Sequence, residues 1–380
     1  MHRKKILITI DWFLPGTKSG GPVRSYANLI EHLNEGFEFY IVTRNTDFGS
    51  TESYESITPN VWTRFNAYTQ VFYCSADYLS KTHLKTLFET TEFDFAYING
   101  IYSWYFSILP VMLLKKSNKP IIVSARGMLN PQAFSVKPFK KKLFINIAKG
   151  FRFYTKIQFH ATNTEEAIYI KQIIGSSTNV KVAPNLPRAV NTSAKPKVSK
   201  QHPVRFVNLA RVSIEKGTLT MLNALRHVKA SLILDLFGPI YDTAYWEKCQ
   251  TVIAALPDSI EVNYKGVLDS EEVPELLRGY DFFVLLSEGE NFGHAILEAL
   301  SAGIPVLISD QTPWRNLTSQ SVGWDLNLND EETIIRAFET AITMNDENYT
   351  KWSQAAFHYA KEVIENPKVL EQNKALFLNA

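Results

Sequence analysis

The chain has 380 residues, with Lys+Arg 40 against Asp+Glu 38, and is 45% hydrophobic and 21% charged. That length exceeds one ordinary hydrophobic core and predicts two domains, while the composition excludes a mostly disordered chain. A net charge of +2 gives no global attraction to nucleic acid, so any electrostatic function must come from local clustering.

The first apolar run, at 5–10, follows a basic start and stops at Asp11. It is too short for a secretory signal core, and no apolar stretch approaches the ~18 residues of a membrane span. Further short apolar runs predict strands at 37–43, 71–74, 95–99, 120–124, 156–161 and 180–183. Amphipathic runs predict helices at 21–33, 80–90, 103–116, 138–151 and 164–174. Residues 184–202 are rich in Pro, Ser, Thr and Asn and read as a linker. The alternation then restarts. Strands are expected at 204–210, 231–238, 260–265, 282–286 and 305–309, and helices at 218–225, 244–256, 270–278 and 293–302. Helices at 331–344 and 348–364 close the pattern, and a last short helix follows Pro367. Strands alternating with helices predict an α/β fold of two doubly wound, Rossmann-like domains facing a central cleft. The expected boundaries are a first domain at 1–188, a linker at 189–202 and a second domain at 203–365. Cys74 and Cys249 lie far apart without a Cys-x-x-Cys pattern, which fits a cytoplasmic protein.

Three segments carry chemistry. Gly16 to Pro22 follows the first strand and opens a helix; its Gly20-Gly21 pair lets backbone approach an anion, although a plain surface turn needs glycines as well. Arg211, Lys216 and Gly217 leave the first strand of the second domain, where a cleft ligand would sit. Two solvated surface charges are the alternative there. The third segment runs from Ser287 to Val306. Its loop carries Glu290, a helix begins near Gly293, and Glu298 lies a little over one turn inside on the face of His294. Two such carboxylates suit two sets of sugar hydroxyls, because each accepts bidentate hydrogen bonds.

Glu290-x7-Glu298, set in Glu-Asn-Phe-Gly…Leu-Glu-Ala-Leu…Gly-x-Pro-Val, resembles the signature of the GT4 family of retaining glycosyltransferases, of GT-B fold. Arg211 with Lys216-Gly217 resembles that family's Arg-x4-Lys-Gly, and Gly20-Gly21 its N-terminal glycine pair. The strings Ser124 to Leu129 and Asp310 to Trp314 resemble a subset associated with bacterial surface polysaccharide assembly. The resemblance implies transfer of a sugar from a nucleotide diphosphate sugar to a hydroxyl of a glycan or lipid-linked glycan, with retention. It implies that Gly21 approaches the donor diphosphate and that Arg211 and Lys216 neutralise it. Glu290 and the amides of Asn291, Phe292 and Gly293 would hold the donor sugar and phosphate, and Glu298 the ribose. The C-terminal helix, 366–380, would cross back onto the first domain. Arg126 occupies the region where many members place a histidine and is expected to bind an acidic group of the acceptor.

The sequence has no Asp-x-Asp triplet. Arg211, Lys216 and a helix dipole would replace a divalent cation, so neither a metal nor a cofactor is expected. A nucleotide-sugar epimerase, a phosphorylase, or a non-catalytic member of an assembly complex would carry the same fold. From Lys137 to Lys156 every charged residue is basic, and Phe139, Phe144, Phe151, Phe153 and Tyr154 are interleaved. Such a stretch predicts peripheral contact with an anionic membrane, at the inner face of the plasma membrane. An ordinary outer helix with solvated lysines is the alternative.

Overall fold

In the computed structural model, residues 3–131, 134, 138–188, 196–269 and 271–378 are described. The chain divides into two compact units, Met1–Ala189 with Asn366–Ala380, and Val190–Glu365. The expected linker falls outside the described residues up to 195, as do Lys137 and the expected helix start at Ser270.

The first unit is built on β1 (Lys4–Thr9), β2 (Phe37–Arg44), β3 (Trp62–Asn66), β4 (Thr69–Cys74), β5 (Phe95–Asn99), β6 (Ile121–Ser124), β7 (Gln158–Ala161) and β8 (Asn179–Val182). Their order in the sheet is β3-β4-β2-β1-β5-β6-β7-β8, parallel except for the β3–β4 pair. The period of two sorts side chains into two cores. Leu7 packs on one face, Ile6 and Ile8 on the other. Helices α1 (Gly21–Leu33), α2 (Lys81–Thr90), α3 (Leu109–Leu114), α4 (Pro138–Gly150) and α5 (Thr164–Ile174) accompany this sheet.

Two features of this unit differ from the sequence reading. Strand β3 was not expected, since Trp62-Thr63-Arg64-Phe65-Asn66 has no continuous apolar run. It is an edge strand, held by the edge of Trp62 against Tyr40 and Phe72, each with centroids 5.4 Å away. The helix expected at 103–116 opens instead as a wide turn, in which the Ile108 amide reaches the Ser103 carbonyl. Pro110 has no N–H for the Phe106 carbonyl, and the Thr9 hydroxyl donates to that carbonyl at 2.7 Å.

The second unit has β9 (Val204–Leu209), β10 (Leu232–Phe237), β11 (Ile260–Gly266), β12 (Phe282–Leu285), β13 (Val306–Ser309) and β14 (Gly323–Leu326), all parallel, in the order β11-β10-β9-β12-β13-β14. Its helices are α6 (Thr218–Leu225), α7 (Thr243–Ile253), α8 (Val273–Leu277), α9 (His294–Ser301), α10 (Glu331–Thr343) and α11 (Asp346–Ile364). Strand β14 was missed because Gly323 and Asp325 break its apolar pattern; the Asp325 carboxylate accepts the amides of Asn316 and Leu317 at 3.0 Å. Side-chain caps start several helices, as at Asp242, Asp330 and Asn345, each contributing about 1 kcal/mol. Buried Asp281 ties the start of this unit to β12: it pairs with Lys197 and accepts the Arg205 amide at 2.9 Å. Helix α12 (Pro367–Leu378) belongs to the first unit, where Leu376 and Phe377 are fully buried.

The first unit also encloses a histidine. His160 Nε2 lies 2.8 Å from the Ala183 carbonyl oxygen, so Nε2 carries the proton and Nδ1 accepts the Tyr97 hydroxyl at 2.6 Å. Burial, joined by the nearby Arg126 charge, lowers its pKa from 6.5 to about 3. The unfolded chain takes up a proton at this site below pH 6.5 and the folded chain does not. Stability from His160 is therefore present above pH 6.5 and lost as the pH falls toward about 3. His160→Gln keeps a donor for Ala183 and an acceptor for Tyr97. It is expected to flatten the acid limb of urea-unfolding stability by up to ~1.4 kcal/mol per pH unit. An unchanged slope would show that the ring is protonated in the fold.

Candidate functional site

The strand order of the second unit reverses between β9 and β12. Ligands of open parallel sheets bind outside the strand C-termini at such a switch point. Both charged segments of this unit leave from there. Residues Arg211 to Gly217 follow β9, and Ser287 to Gly293 follow β12.

Backbone contact holds the two segments together. Gly217 adopts a left-handed φ of 65°, and a Cβ on it would stand 1.8 Å from the Leu286 carbonyl oxygen. The Glu288 amide donates to the Glu215 carbonyl at 3.0 Å. Across this junction Lys216 Nζ meets Glu290 Oε1 at 2.5 Å, and the Ser287 hydroxyl donates to the same oxygen at 2.9 Å. The Glu290 amide donates to the Gln311 carbonyl at 3.1 Å, which steadies the loop. Arg211 pairs with Glu215 at 2.9 Å on the surface, where such pairs contribute little.

Helix α9 begins at His294 with Gly293 as its N-cap, at φ 78°, and without a side-chain cap. The carbonyl just before that cap, on Phe292, accepts Trp314 Nε1–H at 2.5 Å. The Phe292 ring lies between those of His294 and Trp314, with centroids 4.8 and 5.8 Å away. Glu298 sits in α9 and is 9% exposed, so it is not an ordinary outward helix carboxylate. Thus Arg211, Lys216, Glu290, Asn291, Phe292, Gly293 and Glu298 all belong to the two elements that leave the switch point. The sequence reading gave no role to Ser287, Gln311 or Trp314. The last two lie in the Asp310–Trp314 string it singled out.

Gly20 and Gly21 lie in the first unit, whose own switch point falls between β1 and β5. Gly20, at φ 74°, caps α1, and among the described residues no atom beyond the local backbone lies within 4 Å of where a Cβ on either glycine would stand. Asp47 holds the preceding turn through the amides of Thr17 and Lys18, at 3.2 and 3.4 Å. Asp11 bridges the two strand ends, accepting the Ser103 hydroxyl at 2.7 Å with Arg44 3.6 Å away. Burial raises the Asp11 pKa, and Ser103 and Arg44 oppose that rise. Neither aspartate carried a motif.

Arg126 follows β6, with a left-handed φ of 50°. Its guanidinium donates to Asn185 Oδ1 and to the Tyr97 hydroxyl, the latter at 3.1 Å, and lies 4.7 Å from the Tyr26 ring centroid. It joins the loop after β6 to the segment by which the chain leaves the first unit. Glu166 clamps the same loop, accepting the Gly127 amide at 2.6 Å. Cys74 and Cys249 are both free and buried, and burial pushes their thiols up to about 12 and about 11. Neither supplies a thiolate near neutral pH. Among the described residues no group of three or more His, Cys, Asp or Glu could hold a metal ion.

Residues 190–359 match the family described as glycosyl transferases group 1. Among curated proteins, the GDP-mannose:cellobiosyl-diphosphopolyprenol alpha-mannosyltransferase of Xanthomonas oryzae pv. oryzae (strain PXO99A) is 31% identical over 115 residues. That stretch is 29% of this chain and 30% of that protein, so the chain spans under a third of the relative's length. Sucrose-phosphate synthase (tll1590) from Thermosynechococcus elongatus has a similar structure, with a TM-score of 0.73 at 14% identity over 100% of this chain and 99% of that one. Anabaena Alr3699/HepE, solved with UDP and glucose, gives a TM-score of 0.72 at 14% identity over 100% of both chains. These likenesses establish the GT-B fold.

Gly217→Ala tests the junction on which the site rests. The left-handed backbone alone should cost ~1–2 kcal/mol, and the collision with Leu286 adds to it. Urea unfolding should therefore show a lower midpoint. An unchanged midpoint would mean that the two loops do not depend on this contact.

Proposed function

We propose that this chain, whose residues 190–359 match the glycosyl transferases group 1 family, moves a sugar from a nucleotide diphosphate sugar to a hydroxyl acceptor, with retention at the anomeric carbon. The observation that carries this reading is the pairing of Lys216 with Glu290 across the β9–β12 switch point, beside the N-terminus of α9. Charge builds on the leaving diphosphate as the bond to the sugar breaks. Fixed cations and a helix N-terminus stabilise such charge. An ammonium has three N–H donors, and Glu290 takes one, so Lys216 can hold sugar-binding carboxylate and diphosphate together. Arg211 exchanges its surface partner Glu215 for phosphate at little cost. Glu290 then faces the donor sugar and Glu298 the ribose. The open backbone at Gly20 and Gly21 suits an anion at the start of α1. In this reading the cations do the work of a metal. Arg126, on the acceptor side, would bind an acidic group of the acceptor.

Two relatives support the substrates. The Anabaena protein holds UDP and glucose, and the Xanthomonas enzyme is named for a diphosphopolyprenol-linked acceptor. A lipid-linked glycan of bacterial surface polysaccharide assembly fits that chemistry. It also fits helix α4 of the first unit. Phe139, Leu143, Ile147 and the following Phe151 recur every four residues along it and are 78%, 51%, 50% and 83% exposed. Lysines 140, 141, 142 and 149 flank them. An apolar stripe beside a run of lysines suits an anionic bilayer surface.

Acceptor-dependent release of nucleoside diphosphate from a panel of UDP-, GDP- and ADP-sugars tests the activity. Lys216→Ala and Arg211→Ala should each lower turnover about a hundredfold, and wild-type turnover should survive EDTA. In calorimetry with the bare nucleoside diphosphate, Glu298→Gln should weaken binding, whereas Glu290→Gln should lower kcat more than affinity. Equal losses in both carboxylate variants would remove their separate roles, and abolition by EDTA with rescue by Mg²⁺ would overturn the metal-free reading.

For the membrane, phosphatidylglycerol vesicles should sediment the protein at low salt. Phosphatidylcholine vesicles should not, and changing Lys140, Lys141 and Lys142 to Glu should release it. A wild type left in the supernatant at low salt sinks the membrane reading.

A further inference from the structure

Beyond the donor site, the first unit contains a cavity of about 540 Å³ at the N-terminal ends of β6, β7 and β8. This is the sheet edge opposite to its switch point. The cavity floor is apolar, made by Ile121, Ala148, Tyr154 and Ile157, all buried. Its rim carries three cations, Lys149, Arg152 and Lys156, and among the described residues no acidic one lines it. Among the described residues none of these three side chains has an ion-pair partner. By contrast, Lys115 Nζ donates to the carbonyls of Arg152 and Phe153, at 3.1 and 2.8 Å. It thereby removes carbonyl charge that would otherwise compete for a cation at the end of α4. Arg152 and Lys156 have left-handed φ angles of 51° and 63°, uncommon for such residues. At Arg152 this conformation ends α4, where the Phe153 amide donates to the Ala148 carbonyl at 2.7 Å. Ser177, Thr178 and Asn179 add polar groups on the far side.

We infer that this cavity is a binding site for the phosphate headgroup of an anionic lipid, with the cations on the phosphate and the apolar floor under the glycerol and proximal chain. The apolar stripe of α4 ends at its mouth, since Phe151 lies between cavity residues Lys149 and Arg152. That continuity favours a lipid over a soluble phosphate. The inference deepens the membrane reading above, but its ligand is a single lipid molecule, and so it is testable without a bilayer.

The probe is monomeric dihexanoyl phosphatidylglycerol, titrated calorimetrically into the full chain below its micelle concentration. Glycerol 1-phosphate and dihexanoyl phosphatidylcholine are the comparison ligands. Saturable one-site binding of the phosphatidylglycerol is expected, and weaker binding of both others. Arg152→Asn and Lys156→Asn remove charge while tolerating the left-handed backbone. Each should weaken binding about fivefold, equivalent to about 1 kcal/mol per cation. Ser177→Trp, which crowds the mouth without touching a cation, should weaken it as well. Unfolding midpoints close to wild type show that the variants fold. Lys140→Gln, beside the stripe but not in the cavity, should lower vesicle sedimentation and leave monomeric lipid binding intact. Absence of saturable binding would overturn the site even if vesicles still sediment the protein. Equal affinity for glycerol 1-phosphate would overturn the lipid assignment in favour of a soluble phosphate. Full binding by both asparagine variants would overturn the role of the cations.

Discussion

The second unit depends on one close approach, that of the Gly217 backbone to the Leu286 carbonyl. No side chain can stand between them, because a Cβ at Gly217 would lie 1.8 Å from that oxygen. The contact exists because β9 and β12 are neighbours at the point where the sheet changes direction. It brings the end of one charged loop against the start of the other. Only then can Lys216 of one loop and Ser287 of the other share a carboxylate oxygen of Glu290. Sheet topology supplies the coarse placement, a glycine supplies the last few ångströms, and hydrogen bonds from Glu288 and Glu290 fix what is left.

The charges in this unit are balanced locally. Lys216 faces Glu290, Arg211 faces Glu215, and Lys197 faces Asp281. These pairs differ in burial and so in stiffness. Asp281 is fully buried and accepts backbone amides as well, which makes it structural. The Arg211–Glu215 pair is exposed and exchangeable. Lys216 and Glu290 lie between these extremes, partly buried and each with further hydrogen-bonding capacity. That intermediate condition suits groups that must be oriented before a ligand arrives and still answer to it.

Most elements were legible in the sequence because strands buried on both faces read as short apolar runs. Asn99 closes β5 and Ser309 closes β13 at the expected positions. Strand β3 escaped because an edge strand needs only one sheltered face, and Trp62 supplies that shelter through aromatic neighbours far away in sequence. Strand β14 escaped because Asp325 points its carboxylate at a turn rather than at the core. At the candidate site, the spacing of Arg211, Lys216, Glu290 and Glu298 was visible because each segment is contiguous. The partners of Arg126 were not visible. Asn185 lies 59 residues onward, and no local pattern encodes a contact of that range. The same holds for Trp314, whose indole meets a carbonyl 22 residues earlier.

The position of α12 has a consequence for how the molecule is made. Phe377 packs against Phe37, Phe95 and Tyr97, and the Gln158 amide donates to the Leu376 carbonyl. Asn373 reaches the Pro184 carbonyl beside it. The first unit therefore lacks part of its interior while the ribosome is still producing the second. During that interval Phe37 and Phe95 have no aromatic cover on this side. The second unit, contiguous in sequence, can close its own core before the first is finished. Assembly of the nascent chain thus runs against the order of translation for this one layer, and residues 366–378 act as the closing piece of a unit begun some three hundred and sixty residues earlier.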